Sequence, residues 1–100
     1  MATLPHAVNA EQLAALCRRH RVSELAVFGS VARGDARLDS DLDLLIDFEP
    51  GARIGFIALA QLTRELQDLF ERPVDVVTKR GLHPRIRAAV LAEAEVLFAA

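Results

Sequence analysis

The sequence predicts a small α/β domain in which a mixed three-stranded sheet, in the order 1-2-3, packs against helices. Apolar residues make up 52% of the 100 residues, which is enough for one modest core. Three short strand-like segments are separated by segments that are helical or polar. The long helical segment between the second and third strands is the right length for a parallel crossover. We therefore expect residues 1–100 to form a single domain.

The first predicted element is a helix within NAEQLAALCRRH. Asn9 is a favourable N-cap, and Gln12, three residues later, completes a capping-box pattern. Leu13, Leu16 and Cys17 recur at helical spacing, which predicts that they share the buried face.

The first strand is predicted over Leu25 to Phe28, where Gly29 ends it. The segment VARG after it has the composition of one helical turn, and DARLDS is a polar loop. This link is too short for a parallel crossover and suits an antiparallel pair with the second strand.

The second strand, DLDLLIDF, alternates strictly between two sets of side chains. Such alternation predicts a strand with one face in the core. The core set is Leu42, Leu44, Ile46 and Phe48, and the opposite set is Asp41, Asp43, Leu45 and Asp47.

The second half of the chain contains the strongest helical pattern. An apolar stripe from Phe56 to Phe70 predicts a helix with a broad core face. The third strand, RPVDVVT, carries Asp75, and a final helix is predicted from about Pro84. The apolar run from Val96 to Phe98 is compatible with a short edge strand after that helix.

Charge and composition narrow the functional classes. The net charge of −2 and the isoelectric point near 5.9 argue against tight binding to a nucleic-acid backbone. No apolar run approaches the ~20 residues of a membrane span, and we expect no signal peptide. A single cysteine excludes a disulfide framework and fits a reducing, cytoplasmic location.

The predicted topology gathers polar residues at one edge of the sheet. Asp41 and Asp43 are near the start of the second strand, and Asp75 is near the start of the third. If these strands are parallel neighbours, Asp75 lies about one strand spacing (~4.8 Å) from the pair. The antiparallel first strand ends at Gly29 and Ser30 on the same edge.

Several carboxylates at one edge require a positive charge nearby. Asp41 and Asp43 are about 6.7 Å apart on one strand face, so they repel by roughly 2.5 kcal/mol at an effective dielectric of 20. Mg²⁺ prefers carboxylate and phosphate oxygens, and two such ions can clamp a phosphoryl transfer. Gly29 lets the backbone approach a phosphate, and the Ser30 hydroxyl adds a donor. Arg33 is a further candidate for a phosphate contact.

These residues resemble a known signature. Gly29-Ser30, ten intervening residues and then Asp41-x-Asp43 resemble the motif of the polymerase-β-type nucleotidyltransferase superfamily. The fuller string GSVARGDARLDSDLDLLIDF resembles its minimal nucleotidyltransferase (MNT) branch. The order of elements and Asp75 in PVDVV also fit, so the resemblance covers nearly the whole chain without a departure at the motif positions.

The resemblance implies a role for each matching residue. Asp41 and Asp43 would bind Mg²⁺, and Asp75 would complete the metal site and could act as a base toward the attacking hydroxyl. Gly29 and Ser30 would hold the phosphates of ATP. Proteins of this size resemble the antitoxin half of toxin–antitoxin modules whose partner is a HEPN-domain RNase toxin. The implied reaction transfers AMP from ATP to a tyrosine of that toxin and neutralises it.

Each of these residues also has a simpler interpretation. Alternating aspartates are common on solvated strand faces, and Asp47 is expected to be such a residue. Arg33 fits a surface ion pair with Asp35 equally well. Asp39 and Ser40 fit a turn and strand start, although Ser40 is also a weak candidate for a phosphate contact.

Two other functions compete with the enzymatic antitoxin. The protein could neutralise its partner by binding alone, with a dispensable site. It could also modify a small molecule such as an antibiotic, although such an enzyme needs more protein around the acceptor. A homodimer could supply that missing wall.

Overall fold

A computed structural model describes residues 8–29 and 41–100. The predicted helical turn in VARG lies outside these residues. The helices are α1 (Ala10–Arg19), α2 (Phe56–Phe70) and α3 (Pro84–Glu93), the strands are β1 (Val22–Phe28), β2 (Leu42–Phe48), β3 (Val74–Thr78) and β4 (Glu95–Ala99), and a 3₁₀ helix (Lys79–Gly81) follows β3.

The helix boundaries follow from local capping chemistry. The side-chain oxygen of Asn9 accepts hydrogen bonds from the backbone N–H groups of Glu11 and Gln12, at 2.8 and 3.1 Å, which confirms the predicted N-cap. Pro84 opens α3, where the fixed φ of proline suits the first helical position. No helix in residues 8–29 and 41–100 is both long enough and apolar enough to cross a membrane.

Within the described residues, the sheet has four strands in the order β3-β2-β1-β4. The antiparallel pairing of β1 with β2 and the parallel pairing of β2 with β3 confirm the predicted arrangement. The predicted count of three strands is wrong, because β4 pairs antiparallel with the other edge of β1. Leu97 and Phe98 of β4 are buried, so this short apolar run is part of the core.

The main core lies between one face of the sheet and helices α1 and α2. The predicted faces of α1 and β2 are confirmed, since their apolar residues are almost fully buried. This cluster includes Leu13, Leu16 and Cys17 of α1, Leu42, Leu44 and Ile46 of β2, and Leu62, Leu66 and Phe70 of α2.

The second face of the sheet is also covered, which the alternation in β2 did not predict. Leu45, assigned to the polar face, is 2% exposed and packs with Ala26, Leu82 and Val90. The 3₁₀ segment and α3 supply this cover. The sheet is therefore buried on both faces along its middle, and the aspartates of β2 flank a buried leucine.

Phe56 corrects the predicted core stripe of α2. Its side chain is 87% exposed, and that of Ile57 is 82% exposed, whereas Leu62, Leu66 and Phe70 are buried. Within the described residues, Phe56 is therefore not part of the core, and helical periodicity alone overestimates how far the core extends.

Candidate functional site

The candidate site lies where β1 ends and where β2 and β3 begin. Because β1 runs antiparallel to β2, and β2 runs parallel to β3, these three strand ends share one edge of the sheet. Phe28 at the end of β1 pairs with Asp43, and Asp43 pairs in turn with Asp75. The sequence predicted this convergence from strand order alone.

Asp43 and Asp75 are direct neighbours across the parallel pair. Paired residues on adjacent strands lie about 4.8 Å apart and project from the same face. Asp43 is half-buried and Asp75 is exposed. On that face, Leu45 follows Asp43 by two residues and Val77 follows Asp75 by two residues. Both apolar side chains pack on the second face of the sheet described above. The two carboxylates thus lie next to packed apolar side chains on the same face of the sheet. This packing holds the backbone of both strands in place.

Asp41 is exposed and lies immediately before β2. The next residue, Leu42, is fully buried, and its N–H donates to the carbonyl oxygen of Pro73 at 2.9 Å. This bond ties the start of β2 to the start of β3. Asp41, just before β2, therefore lies close to the residues that lead into β3 and to Asp75.

Gly29 lies against the carboxylate of Asp43. Its φ is +75°, a left-handed conformation that disfavours any side chain, and a Cβ atom built on it would lie 2.3 Å from Oδ2 of Asp43. Only glycine fits between the end of β1 and this carboxylate. The glycine therefore permits a close approach of backbone to Asp43, which the sequence motif predicted only in general terms.

Glu93 also reaches this edge, and the sequence analysis missed it. Its Oε1 accepts a hydrogen bond from the backbone N–H of Gly29 at 2.9 Å. Glu93 ends α3, directly before the strand that pairs with β1. A hint was available in the apolar run after α3, because an edge strand beside β1 brings the end of α3 toward the site.

Asp47 lies toward the opposite end of β2, as expected. It pairs with Glu24 near the beginning of β1 and lines a cavity of about 180 Å³ near the first turns of α2. It is half-buried rather than exposed. Asp47 is therefore a natural control for experiments on Asp43.

Three predicted site residues, Ser30, Arg33 and Ser40, lie outside the described residues, and so does Asp39. Their assignment to phosphate binding or to the turn stays a prediction. The described part of the site thus consists of Gly29, the aspartates and Glu93.

The donor chemistry of this edge suits a hard divalent cation. Within the described ranges, no three His, Cys, Asp or Glu side chains are grouped as a metal site would require, so the three-carboxylate site stays a prediction. The neighbouring carboxylates of Asp43 and Asp75 nevertheless fit Mg²⁺, which usually takes one or two carboxylates and completes its shell with water and substrate phosphates.

Comparison with known proteins places this geometry in a family. The nucleotidyltransferase domain model matches residues 10–97. The protein adenylyltransferase MntA of Thermococcus cleftensis is 40% identical over 78 residues, which are 78% of this chain and 77% of that protein. A solved structure described as a minimal nucleotidyltransferase is 49% identical, with a TM-score of 0.72 and 86% of each chain covered.

Two toxin–antitoxin complexes share the fold at lower identity. One, with AMP-PNP, is 21% identical with a TM-score of 0.73, covering 92% of this chain and 74% of that chain. The other contains an MNT antitoxin and a tri-AMPylated HEPN toxin of Shewanella oneidensis; it is 18% identical with a TM-score of 0.65, covering 91% and 70%. On the match of the domain model and the identity to MntA, this chain belongs to the nucleotidyltransferase domain family and is an enzyme of the nucleotidyltransferase class.

Proposed function

We propose that this enzyme transfers AMP from ATP, with Mg²⁺, to a tyrosine of a HEPN-domain RNase toxin, and so acts as the antitoxin. The observation that carries the proposal is the pairing of Asp43 with Asp75 beside the backbone of Gly29. This arrangement combines metal-binding oxygens with a glycine at which a phosphate can approach the main chain.

The proposed roles follow from the position and chemistry of each residue. Asp41 and Asp43, with Asp75 completing the metal site, would hold Mg²⁺, which when bound would supply positive charge to the phosphates. Asp75, which is exposed, would accept the proton of the tyrosine hydroxyl. The tyrosine oxygen then forms a bond to the α-phosphorus of ATP, the bond to the bridging oxygen breaks, and pyrophosphate leaves. Gly29 and Ser30, with Arg33 and Ser40, would hold the phosphates.

The choice of a protein as acceptor has support from relatives. MntA of Thermococcus cleftensis is named a protein adenylyltransferase, and the Shewanella oneidensis complex contains an AMPylated toxin. The proposal includes a cytoplasmic location, because the donor is ATP and the single cysteine, Cys17, is a buried free thiol.

The proposal is tested by mass spectrometry of the toxin. The product of the neighbouring gene is incubated with the enzyme, ATP and Mg²⁺, and its intact mass is measured. We expect a gain of one or more AMP units, which is lost when the acceptor tyrosine is changed to phenylalanine. No gain in mass with a toxin that co-purifies with the enzyme would refute the transfer reaction.

Two variants on one strand make the test specific. Asp43→Asn should abolish the gain in mass, whereas Asp47→Asn, which removes the same charge from the other end of β2, should retain it. The double variant Asp41→Asn with Asp43→Asn should fail to rescue cells that express the toxin. Full rescue by that variant would indicate that binding alone neutralises the toxin.

A further inference from the structure

Glu93 links the last helix to the glycine of the nucleotide site. The contact joins residues 64 positions apart, and it is a hydrogen bond of 2.9 Å from the Gly29 N–H to a carboxylate oxygen. A carboxylate is a strong acceptor for a backbone N–H, because the bond is charge-assisted. This bond uses the backbone donor that a nucleotide phosphate would need at the proposed site.

The direction of the Gly29 N–H is fixed by its surroundings. The residue before it, Phe28, pairs with Asp43, and Gly29 itself lies so close to Oδ2 of Asp43 that no Cβ atom fits. Its positive φ ends the extended strand conformation at this residue. The amide is thus presented at the site edge beside Asp43, and the group it meets there is Glu93.

Carboxylate and phosphate oxygens accept from backbone N–H groups in the same way. Both are anionic and both form short charge-assisted bonds. A phosphate that accepts a hydrogen bond from the Gly29 N–H must therefore displace Glu93 from that donor. It must also approach the negative charge of Asp43.

We propose that Glu93 belongs to the nucleotide site: its carboxylate and a nucleotide phosphate compete for the Gly29 N–H, and the phosphate replaces the carboxylate as acceptor on binding. This inference rests on the proposed function, since it assumes that the phosphates bind at Gly29. It adds a residue from α3 to the set that the motif defines.

The exchange needs a rotation of the Glu93 side chain away from the Gly29 amide. Glu93 is half-buried at the end of α3, and the helix is held to the sheet mainly by Val90, its buried residue. Three rotatable bonds let the glutamate leave the amide and turn toward solvent while the backbone of α3 stays in place.

The experiment compares two glutamate variants in their affinity for AMP-PNP with Mg²⁺, measured by titration calorimetry. Glu93→Gln keeps an acceptor oxygen but removes its charge, which weakens the competing bond. We expect AMP-PNP to bind about fivefold more tightly to this variant. Glu95→Gln removes the same charge from an exposed position on β4, and its affinity should stay within about twofold of wild type.

An unchanged or weaker affinity of Glu93→Gln would overturn the inference, because weakening an acceptor that competes with the phosphate must strengthen phosphate binding. Binding by wild type with no gain in the variant overturns this inference and leaves the proposed function standing. No binding of AMP-PNP to wild type overturns both.

A second measurement uses only the wild-type protein. In nitrogen-15 NMR spectra, the Gly29 amide should be among the resonances that AMP-PNP shifts most, because its acceptor changes. A Gly29 amide that does not move when the nucleotide is saturating would refute the exchange, whatever the folding of the variants.

Discussion

Asp43 and Asp75 are direct partners in the parallel pairing of β2 with β3, so two carboxylates stand one strand spacing apart at the edge of the sheet. Like charges in such positions repel each other and reduce stability. The repulsion between Asp43 and Asp75 lowers the stability of the fold at this site. The proposed reaction explains why both carboxylates are present.

Asp75→Asn should therefore separate activity from stability. We expect the rate of AMP transfer to fall about a hundredfold or more, because the proposed base is lost. The melting temperature should be unchanged or slightly higher, because the repulsion with Asp43 is relieved and Asp75 is exposed. The measurements are transfer rate by mass spectrometry and thermal unfolding by circular dichroism. A variant that transfers AMP at the wild-type rate would show that Asp75 is not the base.

Gly29→Ala should destabilise the protein more than Gly51→Ala. Both glycines have positive φ, so each alanine carries a backbone cost of about 1–2 kcal/mol. At Gly29 the new methyl group also collides with Asp43, whereas at Gly51 nothing lies within 4 Å. We expect a further ~1–3 kcal/mol at Gly29. Urea unfolding measures both, and equal losses would show that the contact with Asp43 relaxes freely.

Phe70→Ala and Phe56→Ala test the extent of the core at the two ends of α2. Phe70 is fully buried and Phe56 is 87% exposed. The free energy of unfolding should fall by about 3–5 kcal/mol for Phe70→Ala and change by less than about 0.5 kcal/mol for Phe56→Ala. Urea unfolding provides the values. A large loss at Phe56 would mean that the first turn of α2 packs against the domain.

Glu65 should make the stability of the fold depend on pH in the acidic range. Burial acts to raise its pKa, but hydrogen bonds from His20 and Arg19, together with their charges, hold it below the ordinary value of 4.5. Nε2 of His20 lies 2.8 Å from Oε2 of Glu65, and Arg19 pairs with the other oxygen.

A lowered pKa in the folded state means that the unfolded state takes up the proton first as the pH falls. The stabilisation from Glu65 is then complete above about pH 4.5 and is lost as the pH falls through the folded-state pKa. We expect Glu65→Gln to reduce this loss of stability, as measured by urea unfolding between neutral pH and pH ~3. Glu71→Gln, at an exposed position just after α2, is the matched control. Identical pH profiles for wild type and Glu65→Gln would contradict the prediction.

Cys17 should resist alkylation in the folded protein. Burial raises the pKa of its thiol to about 12, so almost no thiolate is present at neutral pH. Because it is the single cysteine, mass spectrometry after treatment with iodoacetamide gives a direct readout. We expect labelling only after unfolding in urea, and rapid labelling of the native protein would contradict the burial of α1.

The sequence predicted much of this arrangement because its patterns are local. Strict alternation in β2 and helical spacing in α1 identified their buried faces, and the lengths of the links set the strand directions. The convergence of Asp43, Asp75 and Gly29 then followed from strand order. These features depend on neighbours in sequence or on the general rules of chain connection.

The errors concern contacts between distant segments. The place of β4 beside β1 depends on a pairing that five residues of sequence do not specify, and Glu93 became visible only through that pairing. The burial of Leu45 needs the cover from α3, and the exposure of Phe56 depends on which segments pack against the first turn of α2. Each is a tertiary effect that overrides a local pattern.

Because β3 is one of the two edge strands of the described sheet, Asp75 lies on a strand that pairs, within the described residues, with β2 on one side alone, and Asp75 is exposed. For the proposed reaction, the base would then lie on an edge strand of the described sheet. A tyrosine on the surface of a folded protein is too bulky to enter a narrow pocket together with its chain, but it can be laid against an open edge. In the proposed reaction, this strand order suits an acceptor that is itself a folded protein and covers the site with its own surface.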